Sequence, residues 1–305
     1  MTARLLSGKP VAAEVRQHVQ EGVSVLKENG IAPGLAAILV GDNPASQTYV
    51  SSKQKAAEAA GINSWVHRLD STTSQSGLND LISELNADQR VHGILLQLPL
   101  PKGLDPDEAV QLIDPSKDVD GLTASSAGML ALARPRFVPC TALGVAVLLR
   151  RNGVQVAGSD VVVVGRSNLV GRPLSILLSL KAGPPFPAGG GETINLPANA
   201  TVTLCHTGTK EMAAHTRQAD ILVVAAGSPR GVSGDMIKPG STVIDVGIQR
   251  DDSGKLVGDV DFESASEVAG AITPVPGGVG PMTVAILLYN TMLAAQGPGA
   301  PGGMP

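Results

Sequence analysis

Residues 35–53 read LAAILVGDNPASQTYVSSK, an apolar run followed closely by a helix-start signal. Such an apolar run is typical of a buried strand. Asn43 is a suitable N-cap, Pro44 suits the first helical position, and Gly61 is a natural stop. A strand followed by a helix predicts an α/β fold. In such folds the start of the helix lies at the carboxyl edge of the sheet, where ligands bind.

Tyr49 and Lys53 are four residues apart, so this helix presents them on one face. The residues alone leave two interpretations open. An aromatic ring beside an amine can stack a flat substrate and move a proton. Alternatively, Lys53 is an ordinary solvent-exposed lysine and Tyr49 a half-buried core residue, which is the commoner situation for a lysine.

The same alternation of elements continues on both sides of this stretch. Helical spacing of apolar residues predicts helices over 6–29 and 78–85, and apolar runs predict strands over 65–69 and 91–98. Strands that alternate with helices predict a parallel sheet covered on both faces. Gln97 ends the last of these strands, at the same sheet edge as the start of the helix described above. It is either a strand-end solvent contact or a site group.

A loop with two acids follows a short predicted helix over 105–113. Residues 115–122 read PSKDVDGL, in which Asp118, Asp120 and Gly121 are common turn residues. One interpretation is therefore a surface turn. The other is a carboxylate aimed at a ring nitrogen or an amine of a substrate.

Residues 161–173 read VVVVGRSNLVGRP, a β-branched run, a glycine turn and the start of a helix. Continuous β-branched residues are typical of a central parallel strand. Gly165 and Gly171 occupy the outer positions of a dinucleotide-binding turn, with Ser167 at its middle glycine position. Backbone N–H groups at such a helix start suit a pyrophosphate. Further buried strands complete a Rossmann-like unit; they are predicted over 201–205, 221–226 and 243–246.

The strand over 201–205 is followed by His206, Thr207 and Gly208, without the acid that would bind a free ribose 2′-hydroxyl. Arg166 can instead meet a 2′-phosphate, so the sequence favours NADP over NAD as the cofactor. His206 is interpreted as a structural or solvent-facing residue rather than a catalyst.

Two stretches are rich in proline and glycine. Residues 183–191, within an insertion over 181–200, are predicted neither to continue a helix nor to pair as a strand. A mobile loop at the adenosine side of the nucleotide site is therefore expected. Residues 272–283 form a dense turn before a last helix predicted over 284–294. That turn either lets the backbone approach a ligand closely or acts as a hinge between domains.

The composition argues against several classes of protein. The 305 residues are 43 % hydrophobic and 16 % charged, with a formal net charge of −4. A nucleic-acid binder would need a basic face, so no nucleic acid is predicted as a partner. No signal peptide is predicted at residues 1–10, and no uninterrupted apolar run is long enough to span a bilayer, so no membrane is predicted as a partner. Residues 297–305 are predicted to form a disordered tail.

The two cysteines, Cys140 and Cys205, provide neither a disulfide framework nor a metal-ligand cluster. No metal site is therefore predicted, and the location is expected to be the reducing cytoplasm. Thr141 is the predicted N-cap of a helix over 142–151. Cys140 beside it is interpreted as a small apolar residue rather than a nucleophile.

Taken together, these motifs resemble the bifunctional methylenetetrahydrofolate dehydrogenase/methenyltetrahydrofolate cyclohydrolase family. They run in the family's order over nearly the whole chain. The matching motifs are SQTYV over 46–50 with Lys53, GILLQLPLP over 93–101, KDVDG over 117–121, GRS over 165–167 with Val170-Gly171, and the turn over 274–283. The chain departs from the family pattern at Ala142, where proline is usual, at Gly208, where arginine or lysine is usual, and in the 181–200 insertion.

The resemblance implies a two-domain α/β architecture. A folate-binding catalytic domain with a parallel sheet is expected over 1–141, completed by a C-terminal helix over 281–296. A Rossmann-like NADP-binding domain is expected over 142–280, with the active cleft between the two. Members of the family are usually homodimers, so a homodimer is expected here.

The resemblance also implies two reactions at one site. A hydride passes from 5,10-methylenetetrahydrofolate to NADP⁺, and water then opens the 5,10-methenyl cation to 10-formyltetrahydrofolate. By resemblance, the catalytic residues are Lys53, Gln97 and Asp120, of which Lys53 is the key group and Gln97 forms a hydrogen bond near it. Asp120 holds the pterin, and Tyr49 stacks on the folate. A dehydrogenase without the hydrolytic step and a non-catalytic folate or nucleotide sensor are the competing hypotheses.

Two further sets of contacts follow from the same resemblance. The folate site is expected to be lined by the backbone of Pro276, Gly277, Gly278, Val279 and Gly280. The cofactor is expected to touch Gly165, Arg166, Ser167, Thr207 and Ile248.

Overall fold

The computed structural model describes residues 2–189, 192–251 and 253–297. Thirteen strands occur in these ranges: β1 (Arg4–Leu5), β2 (Gly34–Val40), β3 (Asn63–Leu69), β4 (Gly93–Leu96), β5 (Asp160–Val164), β6 (Pro185–Gly189), β7 (Glu192–Asn195), β8 (Thr201–Cys205), β9 (Ile221–Val224), β10 (Thr242–Asp245), β11 (Gln249–Arg250), β12 (Leu256–Val257) and β13 (Ala271–Ile272). Ten α-helices occur in the same ranges: α1 (Gly8–Glu28), α2 (Pro44–Ala59), α3 (Gln75–Ala87), α4 (Pro106–Gln111), α5 (Ala124–Ala131), α6 (Cys140–Arg151), α7 (Gly171–Ser179), α8 (Met212–Thr216), α9 (Phe262–Val268) and α10 (Val279–Gln296).

The chain divides into two compact units, each discontinuous in sequence. The three-stranded unit comprises Val15–Val138 and Ile286–Pro305, and the six-stranded unit comprises Met1–Glu14 and Pro139–Ala285. The domain boundaries expected from sequence stay a prediction. The predicted disordered tail lies, from residue 298 onward, outside the described residues.

The three-stranded unit is built on a parallel sheet in the order β3-β2-β4. All seven residues of β2 are buried, because the central strand is covered on both faces. On one face Ile38 of β2 and Ile94 of β4 pack with Leu78 and Ile82 of α3 in one hydrophobic cluster. The predicted strands and helices of this half are confirmed, with boundaries shifted by a few residues.

The six-stranded unit contains a sheet in the order β1-β13-β10-β9-β5-β8, and every pairing in it is parallel. The predicted Rossmann-like strands are confirmed as β5, β8, β9 and β10. The sequence pattern missed the edge, where Arg4 and Leu5 pair with Ala271 and Ile272. Strands of two residues are too short to show a period, so only the tertiary pairing defines them.

The predicted loop over 183–191 is wrong for most of its length. β6 and β7 pair as an antiparallel hairpin, and Phe186 is 2 % exposed. The N–H of Leu196 donates to the carbonyl of Pro184, so Pro185 and Pro187 turn their nitrogen atoms away from β7. The hairpin therefore loses no ladder hydrogen bond to these prolines, which is how proline is tolerated in an edge strand.

Two predicted helix starts are also wrong. α6 begins at Cys140 after Pro139, and Thr141 lies inside it with its Oγ1 3.1 Å from Oγ1 of Thr283 rather than capping the helix. α10 begins at Val279, five residues before the predicted start. Pro281 falls in its first turn, where the missing N–H would have had no intrahelical partner.

Helix α10 has the length and composition of a membrane-spanning helix. It has 18 residues and a mean hydropathy of 1.2, which is enough by length and composition, although Asn290 and other polar residues interrupt its apolar run. Of this helix, 72 % is buried inside the protein. Burial within the protein accounts for its apolar character.

Candidate active site

Lys53 and Gln97 meet at the carboxyl edge of the three-stranded sheet. Nζ of Lys53 donates to Oε1 of Gln97 at 3.1 Å, and Lys53 is half-buried. Nε2 of Gln97 donates to the carbonyl of Leu98 at 2.6 Å, and its backbone N–H donates to the carbonyl of Ile38 at 3.0 Å. Because the amide nitrogen is engaged by Leu98, the amide oxygen is the atom presented to the amine.

The start of α2 holds this amine in place as the sequence predicts. Oδ1 of Asn43 accepts the N–H groups of Ala45 at 3.0 Å and Ser46 at 3.1 Å, and Pro44 follows the cap. At the other end Gly61 has a φ of +79°, which favours glycine. The cap hydrogen bonds fix the residue at which α2 begins, and therefore the position of Lys53 along the helix.

Tyr49 lies one turn before Lys53 on the same helix. It is 41 % exposed, so a large part of its ring is open to a ligand. Lys53, by contrast, is half-buried and bonded. The interpretation of Lys53 as an ordinary solvated lysine is therefore wrong in this structure.

The two acids of the 115–122 loop have different surroundings. Asp118 is 1 % exposed. Its carboxylate accepts the N–H of Leu122 at 3.0 Å, the N–H of Thr123 at 2.9 Å and the hydroxyl of Ser126 at 2.6 Å. Asp118 is therefore a structural acid at the start of α5. Asp120 is half-buried, and it is the acid that the resemblance assigns to the pterin.

Lys117 anchors the segment 117–121, named here the Asp120 loop. Its Nζ donates to the carbonyls of Leu85 at 3.0 Å, Asn86 at 2.7 Å and Asp88 at 2.8 Å, at the end of α3. The carbonyl of Lys117 accepts the N–H of Ile94 in β4 at 2.9 Å. A lysine that satisfies three terminal helix carbonyls has a structural role, and nothing in the sequence pattern distinguished it from a site lysine.

The predicted dinucleotide turn follows β5 in the six-stranded unit. Gly165 has a φ of +122° and lies so close to Ala225 that a Cβ would overlap the Ala225 carbonyl. A Cβ on Gly171 would likewise overlap the carbonyl of Gly165. Oγ of Ser167 accepts the N–H of Val170 at 3.2 Å, while Arg166 is exposed at the tip of the turn. Both glycines are therefore required by close backbone approach, as the dinucleotide motif predicts.

Thr207 and Ile248 lie at the same edge of that sheet. Thr207 is exposed in a tight turn after β8, where the N–H of His206 donates to Oγ1 of Thr209 at 2.8 Å. Ile248 follows β10 and is 39 % exposed. β5, β8 and β10 run parallel in one sheet, so the segments that follow them lie at the same carboxyl edge. These segments contain Gly165, Thr207 and Ile248, respectively.

Two buried carboxylates that the sequence analysis missed support this edge. Asp245 accepts the N–H groups of Gly247 at 3.0 Å, Asp259 at 2.9 Å and Val260 at 3.0 Å. Burial, which outweighs these hydrogen bonds, raises the pKa of Asp245 to about 6, and the nearby Asp259 carboxylate acts in the same direction.

Asp259 binds the neighbouring loops in turn. Its carboxylate accepts the N–H groups of Ala226 at 2.7 Å and Gly227 at 2.8 Å, and Nε2 of Gln249 at 2.9 Å. The loop after β9 and the segment around Ile248 are thus tied to one carboxylate. An acid next to a glycine at a strand end was the only sequence signal for this role.

The turn predicted to line the folate site belongs to the six-stranded unit. Gly277 has a φ of +112°, and its carbonyl accepts the N–H of Gly8 at 2.9 Å. The N–H of Gly278 donates to the carbonyl of Pro274 at 2.8 Å. Val279 and Gly280 are the first two residues of α10 rather than part of the turn.

The structure therefore brings some predicted residues together and not others. Lys53 and Gln97 are in direct contact, and Tyr49 and Asp120 belong to the same unit. The residues predicted to bind the cofactor cluster at one sheet edge of the other unit. Within the described ranges no group of three or more histidine, cysteine, aspartate or glutamate side chains is placed to hold a metal ion.

Known proteins match this chain over nearly its whole length. Residues 6–120 match the family model described as tetrahydrofolate dehydrogenase/cyclohydrolase, catalytic domain, and residues 139–298 match that family's NAD(P)-binding domain. A bifunctional protein FolD from Moorella thermoacetica is 51 % identical over 296 residues, which is 97 % of this chain and 100 % of that protein.

Solved structures agree with the sequence matches. The bifunctional FolD methylenetetrahydrofolate dehydrogenase/cyclohydrolase from Campylobacter jejuni superposes with a TM-score of 0.87 at 47 % identity, covering 96 % of this chain and 99 % of that one. The methylenetetrahydrofolate dehydrogenase-cyclohydrolase from Trypanosoma brucei, solved with NADP and an inhibitor, gives a TM-score of 0.87 at 39 % identity. That match covers 97 % of this chain and 98 % of that one.

Proposed function

The chain belongs to the tetrahydrofolate dehydrogenase/cyclohydrolase family, and we propose that it carries out both reactions in that family name. It oxidises 5,10-methylenetetrahydrofolate to the 5,10-methenyl cation with NADP⁺, and it hydrolyses that cation to 10-formyltetrahydrofolate. The observation that carries the proposal is the hydrogen bond between Nζ of Lys53 and Oε1 of Gln97 at 3.1 Å. A half-buried amine oriented by a neutral amide is a group that can transfer protons in a folate site.

The described residues fit NADP, the cofactor with which the Trypanosoma brucei relative was solved. The glycines at 165 and 171 permit the tight backbone turn at the start of α7, where N–H groups can bind a pyrophosphate, and Arg166 is exposed beside them. Asp259 fixes the loop after β9 at the same sheet edge by accepting the N–H groups of Ala226 and Gly227. When bound, NADP⁺ supplies the hydride acceptor. The residues that would bind and orient it are Gly165, Arg166, Ser167, Thr207 and Ile248.

In the oxidation the chain positions the folate rather than reacting with it. Tyr49 offers an exposed ring on which the flat folate stacks, and the Asp120 carboxylate accepts hydrogen bonds from the pterin. The family resemblance assigns the backbone of residues 276–280 to folate binding as well. Hydride transfer depends on holding the two reacting rings in contact, so most of the acceleration comes from orientation.

In the hydrolysis the chain handles the protons. Water forms a bond to the electrophilic methenyl carbon, and Lys53 accepts the proton that the water loses. The same amine then gives that proton to the departing ring nitrogen, and the carbon–nitrogen bond breaks. The remaining hydroxyl proton passes to solvent water as the formyl carbonyl forms, which removes the positive charge of the cation and gives the 10-formyl product. Gln97 accepts one N–H of the amine and so directs the rest of the amine towards the substrate without adding charge.

Lys53→Met tests the catalytic assignment, with Lys55→Met as a matched control, since Lys55 is exposed on the same helix. Loss of a general acid–base group is expected to lower the rate of methenyl hydrolysis by roughly 10²- to 10⁴-fold. The control is expected to stay within about twofold of the wild type, because exposed substitutions rarely perturb a site. The loss of methenyl absorbance measures the rate. A Lys53→Met enzyme with wild-type hydrolysis would refute the role of Lys53.

Arg166→Ala tests the cofactor assignment, with Arg172→Ala as its control. Arg172 is exposed on the adjacent helix and bonds to Asn168 instead. Loss of a charged phosphate contact is expected to raise KM for NADP⁺ roughly tenfold or more, with little change in KM for NAD⁺. Steady-state turnover of methylenetetrahydrofolate with each cofactor measures both values. Equal increases for NADP⁺ and NAD⁺ would contradict the assignment of Arg166 to the 2′-phosphate.

We further propose a cytoplasmic homodimer without nucleic-acid or membrane partners. The two cysteines are free and buried, which suits a reducing compartment. The outer edge of β3 pairs with no strand in the described ranges, so a second copy can add its own strand there. The net charge of −4 disfavours polyanions. Sedimentation equilibrium tests the dimer, and a monomer at micromolar concentration would contradict it.

A further inference from the structure

The last helix of the chain holds the Asp120 loop through a single side chain. Asn290 of α10 is 1 % exposed. Its Nδ2 donates to the carbonyl of Val119 at 2.8 Å and to the carbonyl of Val138 at 3.4 Å. All three residues belong to the three-stranded unit, so the contact joins the end of the chain to a loop about 170 residues earlier within one unit.

The hydrogen bond from Asn290 to the Val119 carbonyl restrains the backbone directly before Asp120. That carbonyl is part of the peptide group that joins Val119 to Asp120. Rotation of that planar group changes the backbone angle that directs the Asp120 side chain. The anchors at Lys117 and Asp118 hold the loop on either side of this peptide, since the Asp118 carboxylate accepts the N–H groups of Leu122 and Thr123. Asn290 therefore constrains the peptide next to the carboxylate itself.

The surroundings of Asn290 argue that the amide is there for this contact. Its neighbours Leu287, Leu288, Met292 and Leu293 are all buried and apolar. A buried amide costs free energy unless it is hydrogen-bonded, and an apolar side chain of similar size would pack in such a core without that cost. The amide nitrogen instead donates to two backbone carbonyls, those of Val119 and Val138.

We propose that Asn290 is a positioning residue for folate binding, which sets the direction of the Asp120 carboxylate through the 119–120 peptide. The inference rests on the proposed function, in which Asp120 binds the pterin. Asn290 itself does not touch the substrate. Without its amide the peptide loses one of the contacts that orient it, and the carboxylate loses its alignment with the pterin while remaining present.

Asn290→Leu tests the proposal, with Thr291→Val as the matched control. Thr291 is the next residue and fully buried, but its hydroxyl donates within the helix, to the carbonyl of Leu287 at 2.8 Å. Asn290→Leu is expected to raise KM for methylenetetrahydrofolate roughly tenfold or more and to leave KM for NADP⁺ unchanged. Thr291→Val is expected to leave both unchanged. If Asn290→Leu does not fold, Asn290→Ala takes its place.

A double-mutant cycle with Asp120→Ala separates positioning from general destabilisation. If Asn290 acts through Asp120, the increase in folate KM caused by Asp120→Ala must be several-fold smaller in the Asn290→Leu background than in the wild type. Equal increases in both backgrounds, or equal KM values for Asn290→Leu and Thr291→Val, overturn the proposal. A wild-type enzyme that does not turn over methylenetetrahydrofolate overturns the proposed function, whereas an active wild type with additive variants overturns only the role of Asn290.

Discussion

Gly93→Ala places one methyl group against the Asp120 loop from the side of the sheet. Gly93 is the first residue of β4 and is buried. A Cβ at this position would lie 2.6 Å from Cγ1, 2.9 Å from Cγ2 and 3.3 Å from Cβ of Val119. Ordinary contacts begin at 3.4 Å, so the nearest methyl group of Val119 must retreat by about 0.8 Å.

Rotation of the Val119 side chain does not relieve this overlap. Its Cβ is already closer to the new methyl group than an ordinary contact, and the residue is fully buried. The backbone of Val119 must therefore move, and Asp120 with it. Overpacking of this kind costs about 1–3 kcal/mol, and the gain from restricting a glycine in the unfolded chain offsets about 0.4–1 kcal/mol. The expected net loss in the free energy of unfolding is about 1–2 kcal/mol.

The same displacement is expected to weaken folate binding. A shift approaching 1 Å in a binding group commonly costs one to two orders of magnitude, so KM for methylenetetrahydrofolate should rise roughly tenfold or more. KM for NADP⁺ should stay constant, because the proposed cofactor residues belong to the other unit. Urea denaturation measures the stability, and steady-state kinetics measure both KM values.

Gly128→Ala is the matched control. Gly128 lies in helix α5 of the same unit, and a Cβ there would have no neighbouring atom within 4 Å. This change should stabilise the protein by roughly 0.5–1 kcal/mol, since alanine is the better helix former. A Gly93→Ala protein that is as stable as Gly128→Ala and binds folate normally would refute the reasoning about Val119.

Two further predictions concern the six-stranded unit. Gly165→Ala forces a φ of +122° on alanine and drives its methyl group into the Ala225 carbonyl. KM for NADP⁺ should therefore rise roughly tenfold or more, whereas methenyl hydrolysis should persist because it consumes no cofactor. An unchanged KM for NADP⁺ would contradict the close approach of Gly165 to Ala225. Asp245 should titrate near pH 6 in carbon-detected NMR, because burial raises its pKa from 3.8 to about 6. The folded state then binds this proton more tightly than the unfolded chain. Its contribution to stability, about 3 kcal/mol, is complete below pH 3.8 and lost as the pH rises through about 6. A titration midpoint at or below 3.8 would contradict the predicted effect of burial.

Local sequence was sufficient wherever a short stretch carries its own signal. Asn43 and Pro44 begin α2 and Gly61 ends it, because a cap, a constrained φ and a positive φ act within a few residues. The valine run over 161–164 is a buried parallel strand because its composition suits burial on both faces. The family resemblance identified Lys53 through such local motifs as well.

Local sequence misled where the deciding partner is distant. The Pro/Gly stretch over 183–191 lacks a strand signature, yet burial of Phe186 and pairing with β7 make most of it a hairpin. β1 is two residues long and exists only because β13, more than 260 residues away, offers it an edge. Hydrophobic periodicity indicates which residues of a segment are buried, but it does not show which distant strand the segment pairs with.

From its own order of residues this protein determined its longer helices, its central strands, the two glycines of its dinucleotide turn and the common helix face of Tyr49 and Lys53. Only the tertiary structure decided which groups work together. It joined the Lys53 amine to an amide 44 residues away, buried Asp118 among hydrogen-bond donors while leaving Asp120 half-buried, and bonded the neighbouring peptide to Asn290. Hydrogen bonds and burial depend on distances in space, and chain order constrains those distances only over a few residues.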